Sequence, residues 1–318
     1  MRYSRQVVYL GKKKQKRLKK SKVLIVGCGA LGSTVANILA RAGVSLRLVD
    51  RDIVEKLNLH RTLLMEKDIG KPKVQALKEM LTKANSSIRV EAVFKDFNPY
   101  NAEKLVKDCN VVVDGTDNMS VRYVMNDVCL KTRKPFVFGS AIREEGMSAV
   151  FLPGGPCFLC VFSERPEPGS LETCHTAGVL GTITSLIASV EASETIKILT
   201  GAKPSPYLLH VDLSKNLFEN LKIRKNKFCE SCVKKHYKAL EAEDLLVLRT
   251  CDGYQITPRK AMLDLKTFAK RYKAKTTPLY IIFKFDGYNV TLFKDGRMTI
   301  NTSDESRARS IYAKIVGF

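Results

Sequence analysis

The 318-residue sequence predicts an α/β fold, a mostly parallel sheet with helices on both faces, followed by a small C-terminal α+β domain. The four apolar residues Val23 to Val26 run straight into a glycine turn, Gly27-Cys28-Gly29-Ala30-Leu31-Gly32, and then into helical periodicity. Strand-like and helix-like stretches alternate from there to Leu152. From about Leu245 the pattern changes to short strands joined by Asp-Gly turns. These observations divide the chain into a domain over residues 1–240 and another over 245–318, joined by a Lys-rich stretch from Arg224 to Lys238.

Taken in order, residues 1–21 read as a polar, basic lead-in anchored by Tyr3, Val7, Val8 and Leu10. Lys22 to Val26 is the first strand, Ala30 to Ala42 a helix closed by Gly43, and Ser45 to Asp50 the second strand. Further helices are expected over Val74–Lys83, Asn101–Lys107 and Asn118–Lys131, with strands at Arg89–Phe94, Asn110–Asp114, Pro135–Ser140 and Met147–Leu152. Pro153 to Thr176 is a long loop, Gly178 to Leu199 a helix closed at Gly201, and Tyr207 to Ile223 a pair of strands. In the last domain, a strand at Leu245–Arg249 precedes a helix over Pro258–Tyr272 with Thr257 as its N-cap. Hairpins follow at Asp286-Gly287 and Asp295-Gly296, and Thr302 with Glu305 reads as a capping box for a final helix.

A hydrophobic content of 45% is ample for a core, and no apolar run approaches the 18 residues of a membrane span. Without a signal-peptide layout at Met1, a cytoplasmic protein is expected. The net charge is +22, part of it concentrated in Lys12–Lys20. That charge would suit nucleic acid, but no aromatic residues interleave with it as in a nucleic-acid module. A solvated surface, or a field that draws in acidic proteins and ATP, is the preferred reading.

The glycine turn is a seat for phosphate, because free N–H groups and the positive end of the helix dipole meet there. Asp50 follows Gly29 by 21 positions, close to the spacing at which an acidic residue binds a ribose hydroxyl. Both NAD and ATP satisfy those two features. The cysteines add a second centre: Cys157-x-x-Cys160 and Cys229-x-x-Cys232 supply four thiolates for a closed, structural zinc site, or else two unrelated reduced pairs or a redox Cys-x-x-Cys. Cys174, next to His175 and just before a long helix, is placed to have its thiolate favoured.

Several segments occur in one order: Arg5 in Tyr3-Ser-Arg-Gln, the glycine turn, Asp50-Arg-Asp52, Asn58-Leu-His-Arg61, Gly70-Lys-Pro-Lys73, Asp114-Gly-Thr-Asp117-Asn118 with Arg122, and the two Cys-x-x-Cys pairs. That set resembles the ubiquitin-activating enzyme superfamily, in the short ThiF/MoeB-type form of bacterial and archaeal adenylyltransferases, over residues 1 to about 235. The resemblance implies a Rossmann-like homodimer that uses magnesium ATP to adenylate the C-terminal glycine of a ubiquitin-like or sulfur-carrier protein ending in Gly-Gly. It implies Arg61 and Lys73 at the phosphates, Asp117 as magnesium ligand, and Asp50 at the ribose, with Gly29, Asp52, Asn58 and Asn118 also at the nucleotide. Arg5 would reach the phosphates of the neighbouring subunit. Cys174 matches the family's loop cysteine, which forms a thioester in some members and a disulfide or persulfide in others; some members adenylate without it.

The family often has Gln where this chain has Thr62, and no rhodanese-like module is expected. The last domain is read as recruiting a conjugating enzyme, the carrier or another partner, and its sequence does not choose among them. The competing enzyme class is an NAD(P)-dependent oxidoreductase, which gives no reason for Arg61, Lys73 and Asp117 together.

Overall fold

In the computed structural model, residues 2–163, 177–241, 245–250, 252–259 and 261–317 are described. Cys174, His175 and Cys251 lie outside them. The described chain forms one compact unit up to Leu240 and a second from Glu241.

The basic lead-in is helical: α1 spans Ser4–Leu10 and α2 spans Lys12–Lys20, with Gly11 at φ 80° between them. Local composition hides this, because only Gln15 and Leu18, one helical turn apart, are buried on α2 while its lysines face solvent. Both helices serve as end-caps for others. Gln6 and Gln15 donate to the Ala42 carbonyl, and Arg17 donates to the Thr200 carbonyl, satisfying groups that a helix C-terminus leaves open.

Strand β1 (Lys22–Val26), helix α3 (Ala30–Ala42) and strand β2 (Ser45–Asp50) follow the expected bounds. Next come α4 (Lys73–Ala84), β3 (Val90–Phe94), α5 (Ala102–Val106), β4 (Val111–Asp114) and α6 (Met119–Thr132). The unit closes with β5 (Phe136–Ile142), β6 (Glu145–Phe151), the single turn α7 (Phe158–Val161), α8 (Gly181–Thr200), β7 (Tyr207–Asp212) and β8 (Leu217–Lys222).

The sheet order is β3-β2-β1-β4-β5-β6-β7-β8, parallel through β5 and antiparallel beyond it. Side chains alternate across it. Val23 and Ile25 pack with α3, α4 and α8 residues such as Val35, Leu77 and Ile187 on one face; Leu24 and Val26 pack with α5 and α6 residues such as Leu105 and Val124 on the other. Succession reverses at β1, which has β2 on one side and β4 on the other. That reversal opens a crevice at the carboxyl ends of these strands, where doubly wound sheets bind ligands.

The second unit contains β9 (Leu245–Thr250), β10 (Gly253–Pro258), α9 (Leu265–Tyr272), β11 (Lys275–Thr276), β12 (Tyr280–Phe285), β13 (Tyr288–Phe293), β14 (Met298–Ile300) and α10 (Glu305–Val316). Its sheet, ordered β11-β12-β13-β14-β10-β9, is antiparallel throughout. The Asp286-Gly287 hairpin forms with both residues at positive φ, as a two-residue hairpin turn demands.

Two local expectations are corrected here. Pro258 ends β10 instead of opening a helix, since Tyr254 to Ile256 pair with β14 on one side and β9 on the other and bury Ile256 completely. The helix begins at Leu265, capped by Asp264, whose side chain accepts from the Lys266 amide. The last helix is capped by Asp304, which accepts from the Arg307 amide, and Thr302 accepts from the Asp304 amide instead of capping the helix itself.

Candidate functional site

The crevice at the sheet reversal is an open cleft lined by the glycine turn and by residues at the carboxyl ends of β1, β2 and β4. Its floor is the glycine turn. Gly27 sits at φ 86°, and a Cβ there would lie 2.6 Å from the Gly115 carbonyl oxygen. A Cβ on Gly32 would lie 1.9 Å from the Gly27 oxygen. Both glycines are therefore required by the protein's own packing. Gly29 differs: it is the N-cap of α3, and a Cβ on it would meet nothing nearer than 4.0 Å. Its missing side chain leaves room in front of the helix N-terminus, which suits a phosphate.

The Asp50 carboxylate, at the end of β2, accepts from the Cys28 amide at 2.6 Å and from the Asp52 amide at 2.7 Å. Those bonds fix the turn after β1 to the end of β2. Burial raises the pKa of Asp50, against the opposing pull of Lys73. Lys73 opens α4, is almost fully buried, and reaches Asp52 at 2.9 Å. Burial alone would lower its pKa, but Asp50 and Asp52 outweigh that and hold it above the ordinary lysine value, so it is a permanent cation.

Asn58 closes a 3₁₀ turn and Arg61 follows it on the cleft wall; Arg61 donates to the Leu57 carbonyl at 3.3 Å. Thr62 lines the same wall, and its buried hydroxyl has no hydrogen-bond partner among the described residues. At the end of β4, Asp114 is fully buried and takes Arg122 Nε at 2.7 Å. Arg122 also donates to the Thr116 and Gly139 carbonyls, clamping the loop that carries Asp117 and Asn118 into the cleft. Asn118 additionally caps α6 through the Val121 amide.

The structure thus gathers Gly29, Asp50 and Asp52, then Asn58, Arg61 and Lys73, then Asp117 and Asn118 around one cleft. Arg5 is exposed on α1 and is not on the cleft lining of its own chain. Cys174 falls outside the described residues. Cys28, Cys109 and Cys129 are buried thiols. Sequence reasoning missed Arg51, Lys95, Asp96 and Phe97, which also line the cleft. The rule that ligands sit at carboxyl ends of parallel strands could have found the last three, since they follow β3 directly.

A second centre lies apart from the cleft. The sulfurs of Cys157, Cys160, Cys229 and Cys232 all lie within 4.8 Å of one another, with Cys157–Cys229 at 3.6 Å and Cys160–Cys232 at 3.5 Å. Four thiolates around a zinc at about 2.3 Å would be about 3.8 Å apart, so the cluster fits tetrahedral, all-sulfur zinc with no position left for substrate. It joins the segment after β6 to the segment after β8.

Residues 3–232 match the ThiF family. Over 337 positions the chain is 33% identical to a sulfur carrier protein ThiS adenylyltransferase of Bacillus subtilis, covering 99% of each chain. It is 42% identical over 239 residues to an adenylyltransferase and sulfurtransferase MOCS3 of Anopheles gambiae, covering 73% of this chain and 54% of that protein, so it spans about half the length of that relative. Against a SAMP-activating enzyme E1 of Haloferax volcanii, identity is 36%, over 73% of this chain and 88% of the relative. Among solved structures, E. coli MccB with MccA-N7isoASN shares the fold at a TM-score of 0.64 over 73% of this chain and 75% of that one, with 22% identity.

Proposed function

The chain belongs to the ThiF family, and on that footing we propose that its cleft uses ATP to adenylate the C-terminal glycine of a small ubiquitin-like or sulfur-carrier protein. The carrier carboxylate attacks the α-phosphorus, an acyl–phosphate bond forms, the bond to the β-phosphate oxygen breaks, and pyrophosphate leaves with the electron pair. Bringing an anion onto a polyanion needs fixed positive charge at the phosphates, and positioning with preorganised electrostatics supplies most of the acceleration. The observation that carries this reading is the gathering of Arg61 and Lys73 with Asp50, Asp52 and Asp117 around the helix N-terminus behind Gly29.

Lys73 is kept charged by Asp52 and is released to the phosphates when the triphosphate enters. Arg61, on the same cleft, neutralises the phosphates as well, and Asp50 accepts from the ribose with lone pairs its two amide donors leave free. Asn58 and Asn118 frame the nucleotide. Asp117, held by the Arg122 clamp, fits a magnesium ion of the kind bound through one carboxylate, phosphate oxygens and waters. Such an ion offsets charge that develops on the leaving pyrophosphate. The oxidoreductase alternative is not favoured, since the relatives above are named as adenylyltransferases or activating enzymes.

Alignment with the Bacillus relative across 99% of both chains, including the second unit, favours a sulfur carrier ending in Gly-Gly as the substrate. Cys174 then attacks the acyl adenylate, forming a thioester and releasing AMP. The protein acts in the cytoplasm as a homodimer in which Arg5 reaches across to the partner's phosphates; Val8 and Tyr9, over four-fifths exposed beside it on α1, suit burial in such an interface. The second unit recruits the sulfur donor or a conjugating partner. ATP–pyrophosphate exchange with candidate carriers tests the whole reading. Exchange is expected with at least one Gly-Gly protein, to fall about 100-fold or more in Lys73→Ala and Asp117→Asn, and to survive Cys174→Ala, which should lose only the thiol-labile thioester adduct. No exchange with any carrier, together with tight NAD binding, would overturn it.

A further inference from the structure

The strands order the cleft as well as forming it. The phosphate seat lies over β1, and Asp50 marks the ribose at the end of β2. The next strand outward is β3, with Asp50 paired to Phe94. One strand spacing of about 4.8 Å carries a nucleoside from its ribose to its base, so the base falls over Lys95, Asp96 and Phe97. All three line the cleft, and so does Arg51.

Phe97, 4% exposed and packed in the core, offers an apolar wall. Asp96 is also 4% exposed. Its main-chain oxygen accepts from Asn101, and one carboxylate oxygen accepts from Arg51 at 3.2 Å. Its other oxygen, Oδ2, is buried and has no hydrogen-bond partner among the described residues. A buried carboxylate oxygen without a donor is costly unless a ligand supplies one. Adenine presents an exocyclic amine, a donor; guanine presents a carbonyl oxygen at that position, which would face the carboxylate acceptor to acceptor.

We propose that Asp96, held in place by Arg51, reads the 6-amino group of the purine and makes the cleft selective for ATP over GTP. This rests on the adenylation reading above and adds the base-specificity determinant to it.

The test is direct titration of the full-length protein with ATP, GTP and purine riboside triphosphate, which carries hydrogen in place of the 6-amino group. Wild type is expected to bind ATP about tenfold or more tightly than either of the others. Asp96→Asn keeps an oxygen for Arg51 and turns an amide donor towards the base, so it should weaken ATP and strengthen GTP until their affinities meet or invert. The wild-type comparison needs no variant and stands even if Asp96→Asn does not fold. Equal wild-type affinity for the three nucleotides, or an unchanged ATP-to-GTP ratio in Asp96→Asn, overturns the assignment while leaving ATP use intact. Failure of wild type to bind any triphosphate overturns the adenylation reading and this assignment with it.

Discussion

Glu191 lies in the middle of α8 with no exposed surface, and neither of its carboxylate oxygens has a hydrogen-bond partner among the described residues. It rests on the backbone of β5, where a Cβ on Gly139 would sit 2.3 Å from its carboxyl carbon. Burial raises its pKa well above the ordinary glutamate value; Asp114 adds to the rise and Arg122 opposes it. The unfolded chain ionises Glu191 at low pH, whereas the folded chain keeps it protonated, so stability from this site is full below the unfolded pKa and falls as pH climbs towards the folded one. Glu191→Gln removes the titration without changing the shape. The variant is expected to melt close to wild type near pH 4 and to be more stable by about 1–3 kcal/mol at pH 8, as thermal unfolding at the two pH values would show. A variant less stable at pH 8 would mean that Glu191 is ionised and paired in the fold. Gly139→Ala, by contrast, overpacks the contact and should destabilise at both pH values.

Among the elements, the cysteine cluster illustrates a site legible from spacing alone. Each Cys-x-x-Cys pair is local, and a tetrahedral metal needs only that two such pairs meet. The fold brings them together by ending β6 and β8 on the same side, and it buries Phe158 between Cys157 and Cys160 against Phe136, Phe138 and Phe151. Stripping the metal therefore loosens an aromatic-backed staple, not the sheet. One zinc per chain is expected by elemental analysis. Chelation or Cys232→Ser should lower the melting temperature by several degrees with little change in far-UV circular dichroism; a metal-free protein of unchanged stability would refute the staple. Other elements were less legible because the decisive partner lies far along the chain. Nothing within α2 announces that Gln15 and Arg17 cap helices ending at Ala42 and Thr200. The helix expected from Pro258 failed for the same reason: Pro at a first helical turn is a sound local signal, but pairing of Tyr254 to Ile256 with β14 and β9 outweighs it. By contrast β1, α3 and β2 could be read closely, because the glycine turn that joins them is specified by its own steric demands.

At the scale of the whole molecule, the same contrast separates the nucleotide cleft from its completion. Asp50 at the end of β2, Lys73 at the start of α4 and Asp117 just after β4 all line the cleft of a single chain. Arg5 is exposed on α1 and is not on that lining. If it serves the neighbouring subunit of a two-fold dimer, each active site is built from two chains, and two inactive variants can repair each other. Arg5→Ala keeps an intact cleft but donates no arginine; Asp117→Asn spoils the cleft but still donates Arg5. Co-expression with two affinity tags allows the mixed dimer to be isolated. In it, the Arg5→Ala cleft receives Arg5 from the partner and the Asp117→Asn cleft stays dead, so about half of the wild-type exchange rate per dimer is expected. Random mixing of equal amounts should give about a quarter, since half of the dimers are mixed. Were Arg5 to act within its own chain, both clefts of the mixed dimer would be defective and exchange would stay at the level of the parent variants.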